Sequence, residues 1–354
     1  MQYGMEIKGR GTSINPQNRF EKLAFTPEPE DVPEEERLAP QTQILRDSSK
    51  SIIAHNDSPD IPFSQSINPY RGCEHGCAYC YARPYHEYLG FSAGLDFESK
   101  ILVKEDAPAL LRKELSKPKY EPSVIAISGV TDCYQPIERH LKITRRCLEV
   151  LAEFKNPAGL ITKNRLVARD ADILGEMAKW QGSQVFISIT TLDNELCGKL
   201  EPRASRPAAR LETIRILSQA GVPVGVNAAP MIPGLTDHEL PDIIAASVEA
   251  GAVFAGYTMV RLPGAVEQIF ERWLEVNVPN SFNKVMNRIR EAHDGKSGDS
   301  RFGTRMRGDG AHAEQLRQLF ESACKKAGLP QGRHLGLSTA SFKRPQIGQL
   351  TLFV

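Results

Sequence analysis

Apolar positions along the chain fall into two rhythms. From about residue 63, short apolar runs recur: FSQSINPY (63–70), SVIAISGV (123–130), AGLIT (158–162), QVFISIT (184–190), VPVGVNAAP (222–230) and VFAGYTMV (253–260). Their length and β-branched content predict strands, and their apolar character on both faces suits a sheet covered by helices. Between them the interval lengthens. Leu141, Leu148, Leu151 and Phe154 recur at near-helical spacing across 138–155. Pro207 opens a helical pattern over 207–219 that stops before Gly221, and Asp237 opens another that stops at Gly251. Strands alternating with helices predict parallel βα units. Six units suit a partial (β/α)6 barrel of the TIM type better than a doubly wound sheet, although periodicity alone does not separate the two. Either architecture gathers function at the C-terminal ends of the strands.

The flanks read differently. Residues 1–60 contain the acidic, Pro-rich tract PEPEDVPEEER and predict an irregular extension, poorly ordered or draped over the rest. Residues 61–280 hold the barrel pattern. Residues 281–354 form a C-terminal region with helical patterns such as AHAEQLRQLFESACKKAG, and its end from about 335 is short and strand-like.

Composition narrows the class. No apolar run reaches the length of a membrane span, and MQYGMEIKGRGTS lacks the apolar core of a secretory signal, so a cytoplasmic protein is expected. In that reducing compartment, seven cysteines with three of them bunched argue for a metal or cluster site over a disulfide framework. The formal net charge is only +1, yet positions 1–60 carry 7 basic and 11 acidic residues while 281–354 carry 13 basic and 6 acidic. A basic C-terminal region is compatible with a polyanionic partner or with an ordinary solvated surface.

The bunched cysteines are Cys73, Cys77 and Cys80 in NPYRGCEHGCAYCYAR, with spacing C-x3-C-x2-C. Three thiolates are soft ligands suited to iron–sulfur, zinc or copper. A structural zinc takes four ligands, and His75 lies too near in sequence for all four to reach one tetrahedral ion easily. A four-iron cluster on three cysteines leaves one iron open to substrate or cofactor.

At this point the chain resembles the radical S-adenosylmethionine (SAM) superfamily, whose hallmark is C-x3-C-x-aromatic-C after the first barrel strand; here it reads CEHGCAYC. SGVTDCYQPIE, LITKN and the long stretch from SITTLDNELCGKLEPRASR to MIPGLTD further resemble the spore photoproduct lyase-like branch, over about residues 60–265. The resemblance implies a [4Fe-4S] cluster on Cys73, Cys77 and Cys80, SAM at the open iron, and reductive cleavage to a 5′-deoxyadenosyl radical with electrons from a reductant such as flavodoxin or ferredoxin. It further implies that Tyr79 leans on the adenine edge, Thr131 and Asp132 meet the methionyl amino group, and Ser188 the ribose, while Asn227 faces the adenine. Lys163 would meet the methionyl carboxylate, since a lysine after an apolar strand otherwise lacks a partner. The branch carries a hydrogen-donor cysteine where this chain has Gly129 and Val130. Cys133, slightly later, is a shifted candidate for that role or simply a buried residue. Glu201, Arg203 and Arg206 form a polar network or touch substrate, and Cys147 and Cys324 read as core.

The final residues QLTLF resemble the pentapeptide by which bacterial repair and replication proteins dock on the sliding clamp. Leu350, Leu352 and Phe353 would fill an apolar cleft and Gln349 a hydrogen bond; a terminal strand is the alternative. Arg301, Arg305 and Arg307 are then candidates for phosphate contacts, although no aromatic-rich stacking platform stands out. The expected substrate is a nucleic acid. The rival readings are a radical SAM enzyme acting on a peptide, protein or small molecule, and a non-enzymatic, metal-stabilised clamp partner.

Overall fold

The structure, a computed structural model, describes residues 7–21, 41–298, 301–329 and 336–345. Ten strands form among them: β1 Gln43–Arg46, β2 Ile53–His55, β3 Gln65–Ile67, β4 Tyr70–Arg71, β5 Lys100–Val103, β6 Ile125–Ile127, β7 Ala158–Thr162, β8 Ser183–Ser188, β9 Val224–Met231 and β10 Phe254–Met259. The six apolar runs become β3 and β6 to β10. They pair in parallel in that order, so the frame is a six-stranded partial barrel. β2 adds an antiparallel strand outside β3.

Each crossover carries a helix where the longer spacing predicted one. Ile143–Phe154 follows β6 and buries Cys147, Leu148, Leu151 and Phe154. Pro207–Gln219 follows β8 with its proline in the first turn, and Leu240–Glu249 follows β9. Burying Ile, Leu and Val from both layers is the main source of cohesion, about 25 cal/mol for each Å² of apolar surface removed from water. Helices Phe282–Ala292 and Gly310–Lys326 form the C-terminal segment. Asp309 caps the second through the Gly310 amide at 2.8 Å. Among residues 336–345 no strand forms, although the end from about 335 reads as strand-like; residues 346–354 lie outside the described residues. Phe342 instead packs on Tyr120 and Phe154, and Arg344 donates to three carbonyls at Lys117, Pro118 and Tyr120. A ring and a guanidinium that find partners on the body outweigh a weak strand preference. No helix among the described residues is long and apolar enough to cross a membrane.

The connection from β3 to β6 differs from the others. It holds the cysteine loop and strands β4 and β5, which β1 from ahead of β3 joins in a small sheet in the order β1-β5-β4. The N-terminal residues lie across this loop. Arg10 donates to the Glu98 carbonyl at 2.7 Å, the Gly11 amide to the Glu98 carboxylate at 2.9 Å, and Asn18 to the Glu87 and Phe91 carbonyls, both at 2.9 Å. Gly11 passes so close that a Cβ there would fall 1.5 Å from the Gly76 carbonyl oxygen.

Candidate active site

The cysteine loop turns at Gly72 and Gly76, whose φ values of +79° and +66° suit glycine. Its shape is held by a buried arginine absent from the sequence-based candidates. Arg83 is fully buried and donates to the Cys77 carbonyl through Nε (3.0 Å) and Nη2 (2.9 Å). Its Nη1 reaches the Ala93 and Gly94 carbonyls, and the guanidinium pairs with buried Glu98. Thr131 donates to the Gly72 carbonyl at 2.6 Å, and Asn68 accepts from the amides of Gly129 and Val130. The loop is thereby tied to the ends of β3 and β6.

Cys73, Cys77 and Cys80 line one cavity of about 240 Å³ at the C-terminal strand ends. Tyr79, Thr131, Asp132, Lys163, Ser188 and Asn227 line the same cavity. These residues are scattered from 73 to 227 in the chain, and closure of the barrel gathers them. All three thiols are free. Burial pushes the thiols of Cys77 and Cys80 up, the latter to about 11, with Glu201 adding to the rise at Cys77. Among the described residues no three His, Cys, Asp or Glu side chains gather closely enough to hold a single ion. Three soft donors spread around a shared volume fit a multi-iron sulfur cluster better than one metal ion at a point.

The polar residues are more committed than the sequence suggested. Lys163 does not lack a partner: Nζ lies 2.8 Å from the Ala229 carbonyl, 3.2 Å from Thr190 Oγ1 and 3.1 Å from Glu201. Glu201 is fully buried between Lys163 and Arg210, and also accepts from Tyr79 and Thr190. Burial opposes its charge, but Arg210 and Lys163 hold the carboxyl well below the usual range. Two cations around one carboxylate leave a surplus positive charge at this wall. Arg210 entered no sequence-based set, because an arginine inside a helical pattern reads as a solvated position. Tyr79 points its hydroxyl into this network. Arg203 pairs with Glu74 at 3.0 Å, away from it.

Asp132 is equally occupied. It accepts from Thr162, from the Tyr134 and Lys163 amides, all at 2.8 Å, and faces His75 Nδ1 at 3.4 Å. Burial disfavours a charged His75, but Asp132 and Cys73 outweigh it and raise the imidazole to about 10. Asn227, by contrast, lines the cavity with its amide unbonded among the described residues, and buried Ser188 lies beside it.

Cys133 is not brought to the cavity. Its side chain is buried in the core beneath the loop, and burial pushes its thiol well up. Cys147 and Cys324 are buried, and Cys197 lies 3.7 Å from Glu201 and from Arg210. Arg305 is engaged by Asp60 and Ser58, and Arg301 pairs with Asp294. Gln349, Leu350, Leu352 and Phe353 lie outside the described residues.

The family model of the radical SAM superfamily matches residues 67–246, from β3 through the helix after β9. An uncharacterized protein of Mycobacterium tuberculosis is 34% identical over 235 residues, covering 66% of this chain and 68% of its own. One from Methanocaldococcus jannaschii is 29% identical over 246 residues, covering 70% of this chain and 88% of its own. Among solved structures, a spore photoproduct lyase variant with bound AdoMet and dinucleoside spore photoproduct superposes with a TM-score of 0.57 at 17% identity, covering 80% of this chain and 78% of that one. That level of identity speaks for a shared fold.

Proposed function

Since the chain belongs to the radical SAM superfamily, we propose that this radical SAM enzyme carries a [4Fe-4S] cluster on Cys73, Cys77 and Cys80 and acts on nucleic acid in a repair-like reaction. The observation that carries the cofactor reading is the single cavity shared by the three thiols and the six other residues singled out for SAM. When bound, the cluster supplies the electron that opens the C–S bond of SAM and yields a 5′-deoxyadenosyl radical.

The protein's own groups do the rest. Arg83 and Glu98 hold the Cys77 segment so that its thiol faces the cavity. The Lys163–Glu201–Arg210 group presents its surplus positive charge to the methionyl carboxylate, and Lys163 exchanges one present acceptor for that ligand. Asn227 offers an unbonded amide and Ser188 a hydroxyl to the nucleoside part. Ile161, Pro230 and Val260 line the cavity with apolar surface, which would limit polar contacts around bound SAM.

Support for a nucleic-acid substrate comes from the resemblance in sequence, from the similarity in fold to a lyase bound to a dinucleoside lesion, and from the basic C-terminal region. Docking on a sliding clamp through Gln349 to Phe353, and reduction by a flavodoxin or ferredoxin, belong to the same proposal.

Anaerobic reconstitution with iron and sulfide, then dithionite and SAM, tests the chemistry. Four irons for each chain and release of 5′-deoxyadenosine are expected, with both lost in Cys77→Ala. A chain that assembles no cluster, or cleaves SAM equally without Cys77, overturns it. Turnover of ultraviolet-damaged DNA tests the substrate; turnover of only peptides or small molecules moves the assignment to the rival class.

A further inference from the structure

Directly after Cys80 the chain reads YARPYHEYLG, and Tyr81, Tyr85 and Tyr88 are all exposed, at 42%, 52% and 67%. The segment Arg83–Leu89 is a 3₁₀ helix, in which positions three apart share a face. Tyr85 and Tyr88 accordingly stand side by side, ring centroids 6.5 Å apart. Phe20, 54% exposed, extends the row at 4.8 Å from Tyr88. Tyr81 stands apart from this row, with only an electrostatic coupling to Tyr85, and lines the cavity with its hydroxyl fixed on the Gly129 carbonyl at 2.7 Å. Aromatic rings of this size normally bury a large area, and a row left in water asks for a ligand with flat apolar faces.

Charge narrows the ligand. The Arg261 guanidinium stands 4.8 Å from the Tyr81 ring and also lines the cavity, and it forms no salt bridge with a carboxylate among the described residues. Burial disfavours its charge and so does Arg305, while Tyr81, Tyr85 and the Asp60 carboxylate lie within its electrostatic range and favour it. Neighbouring Arg305 is already neutralised by Asp60. At the outer end, Arg19 lies over Phe20 and Tyr88 at 4.8 and 5.4 Å while sharing Glu87. Flat apolar faces beside an open cation are the combination that unpaired bases and their phosphates use. A duplex hides its base faces in the stack and cannot engage the row.

Resting on the nucleic-acid reading above, we infer that the row Tyr85, Tyr88 and Phe20 is a stacking platform that binds single-stranded nucleic acid, and that Tyr81 and Arg261 at the cavity receive one unpaired nucleotide from it. The platform makes single-stranded or flipped nucleotides the substrate form.

Fluorescence anisotropy with the reconstituted full chain tests this without turnover, using a labelled oligothymidylate and a blunt duplex over a range of salt. The single strand should bind about tenfold or more tightly than the duplex, and Tyr85→Ala with Tyr88→Ala should weaken it by about tenfold or more. Tyr88→Trp should keep affinity, because stacking survives, and Arg261→Met should flatten the salt dependence. Circular dichroism confirms that each variant is folded. Duplex binding as tight as single-strand binding, or unchanged affinity in the folded double variant, overturns the platform and leaves the nucleic-acid reading standing. Failure of every nucleic acid to bind at low salt overturns that reading itself.

Discussion

The two walls of the cavity treat arginine in opposite ways. On the β8 side, Arg210 is fully buried and locked to Glu201, which also takes Lys163, Tyr79 and Thr190. On the β10 side, Arg261 faces the same cavity and meets a tyrosine ring but forms no salt bridge with a carboxylate among the described residues. A closed network costs much to disturb, since low-dielectric surroundings punish any charge left alone. An open cation gives up little on mutation and gains when an anion arrives. The first kind of wall fixes its own side chains in one geometry, where the proposed cofactor would sit; the second would meet the proposed nucleic acid.

The sharpest way to break the contrast is Glu201→Gln. It strands Arg210 and Lys163 in a buried site and should cost about 3–5 kcal/mol of stability, read as a lower urea midpoint at unchanged slope. Acid attacks the cysteine loop next. His86 packs beneath the cysteine loop with Nε2 unbonded, and burial lowers its pKa from 6.5 to about 4. The unfolded chain therefore takes up this proton first. The stability that neutral His86 contributes is complete above pH 6.5 and drains as pH falls towards 4, by on the order of 3 kcal/mol. Urea titrations across that window should show the loss in the parent and its flattening in His86→Phe.

Gly11→Ala probes the cover over the same loop. Its Cβ would collide with the backbone of Gly76, so residues around Gly11 must lift, at about 1–3 kcal/mol. Faster bleaching of the reconstituted cluster in air checks it, and a bleaching rate equal to the parent would show that the segment does not shield the loop. The smallest effect is expected at Arg261→Leu, within about 0.5 kcal/mol of the parent. A loss as large as that of Glu201→Gln would erase the distinction between the walls.

Much of the frame was legible along the chain. The six apolar runs became the six parallel strands, and Pro207 opened the helix it was expected to open. The residues selected on the family resemblance converged on one cavity, with Cys133 the exception, buried below it. Misread were the charges. Lys163 was expected to be short of a partner, and Arg83 and Arg210 entered no set of candidates. The tyrosines after Cys80 went unnoticed because no periodicity announces three residues per turn in so short a segment.

Sequence alone determined the alternation of strands and helices and the thiol spacing on one loop, because both depend on residues a few positions apart. Only the tertiary structure decided that Lys163, Glu201 and Arg210 form one buried group while Arg261 is left open. The partner of a charge is whatever the closing sheet brings within a few ångströms, and that distance is unrelated to separation along the chain.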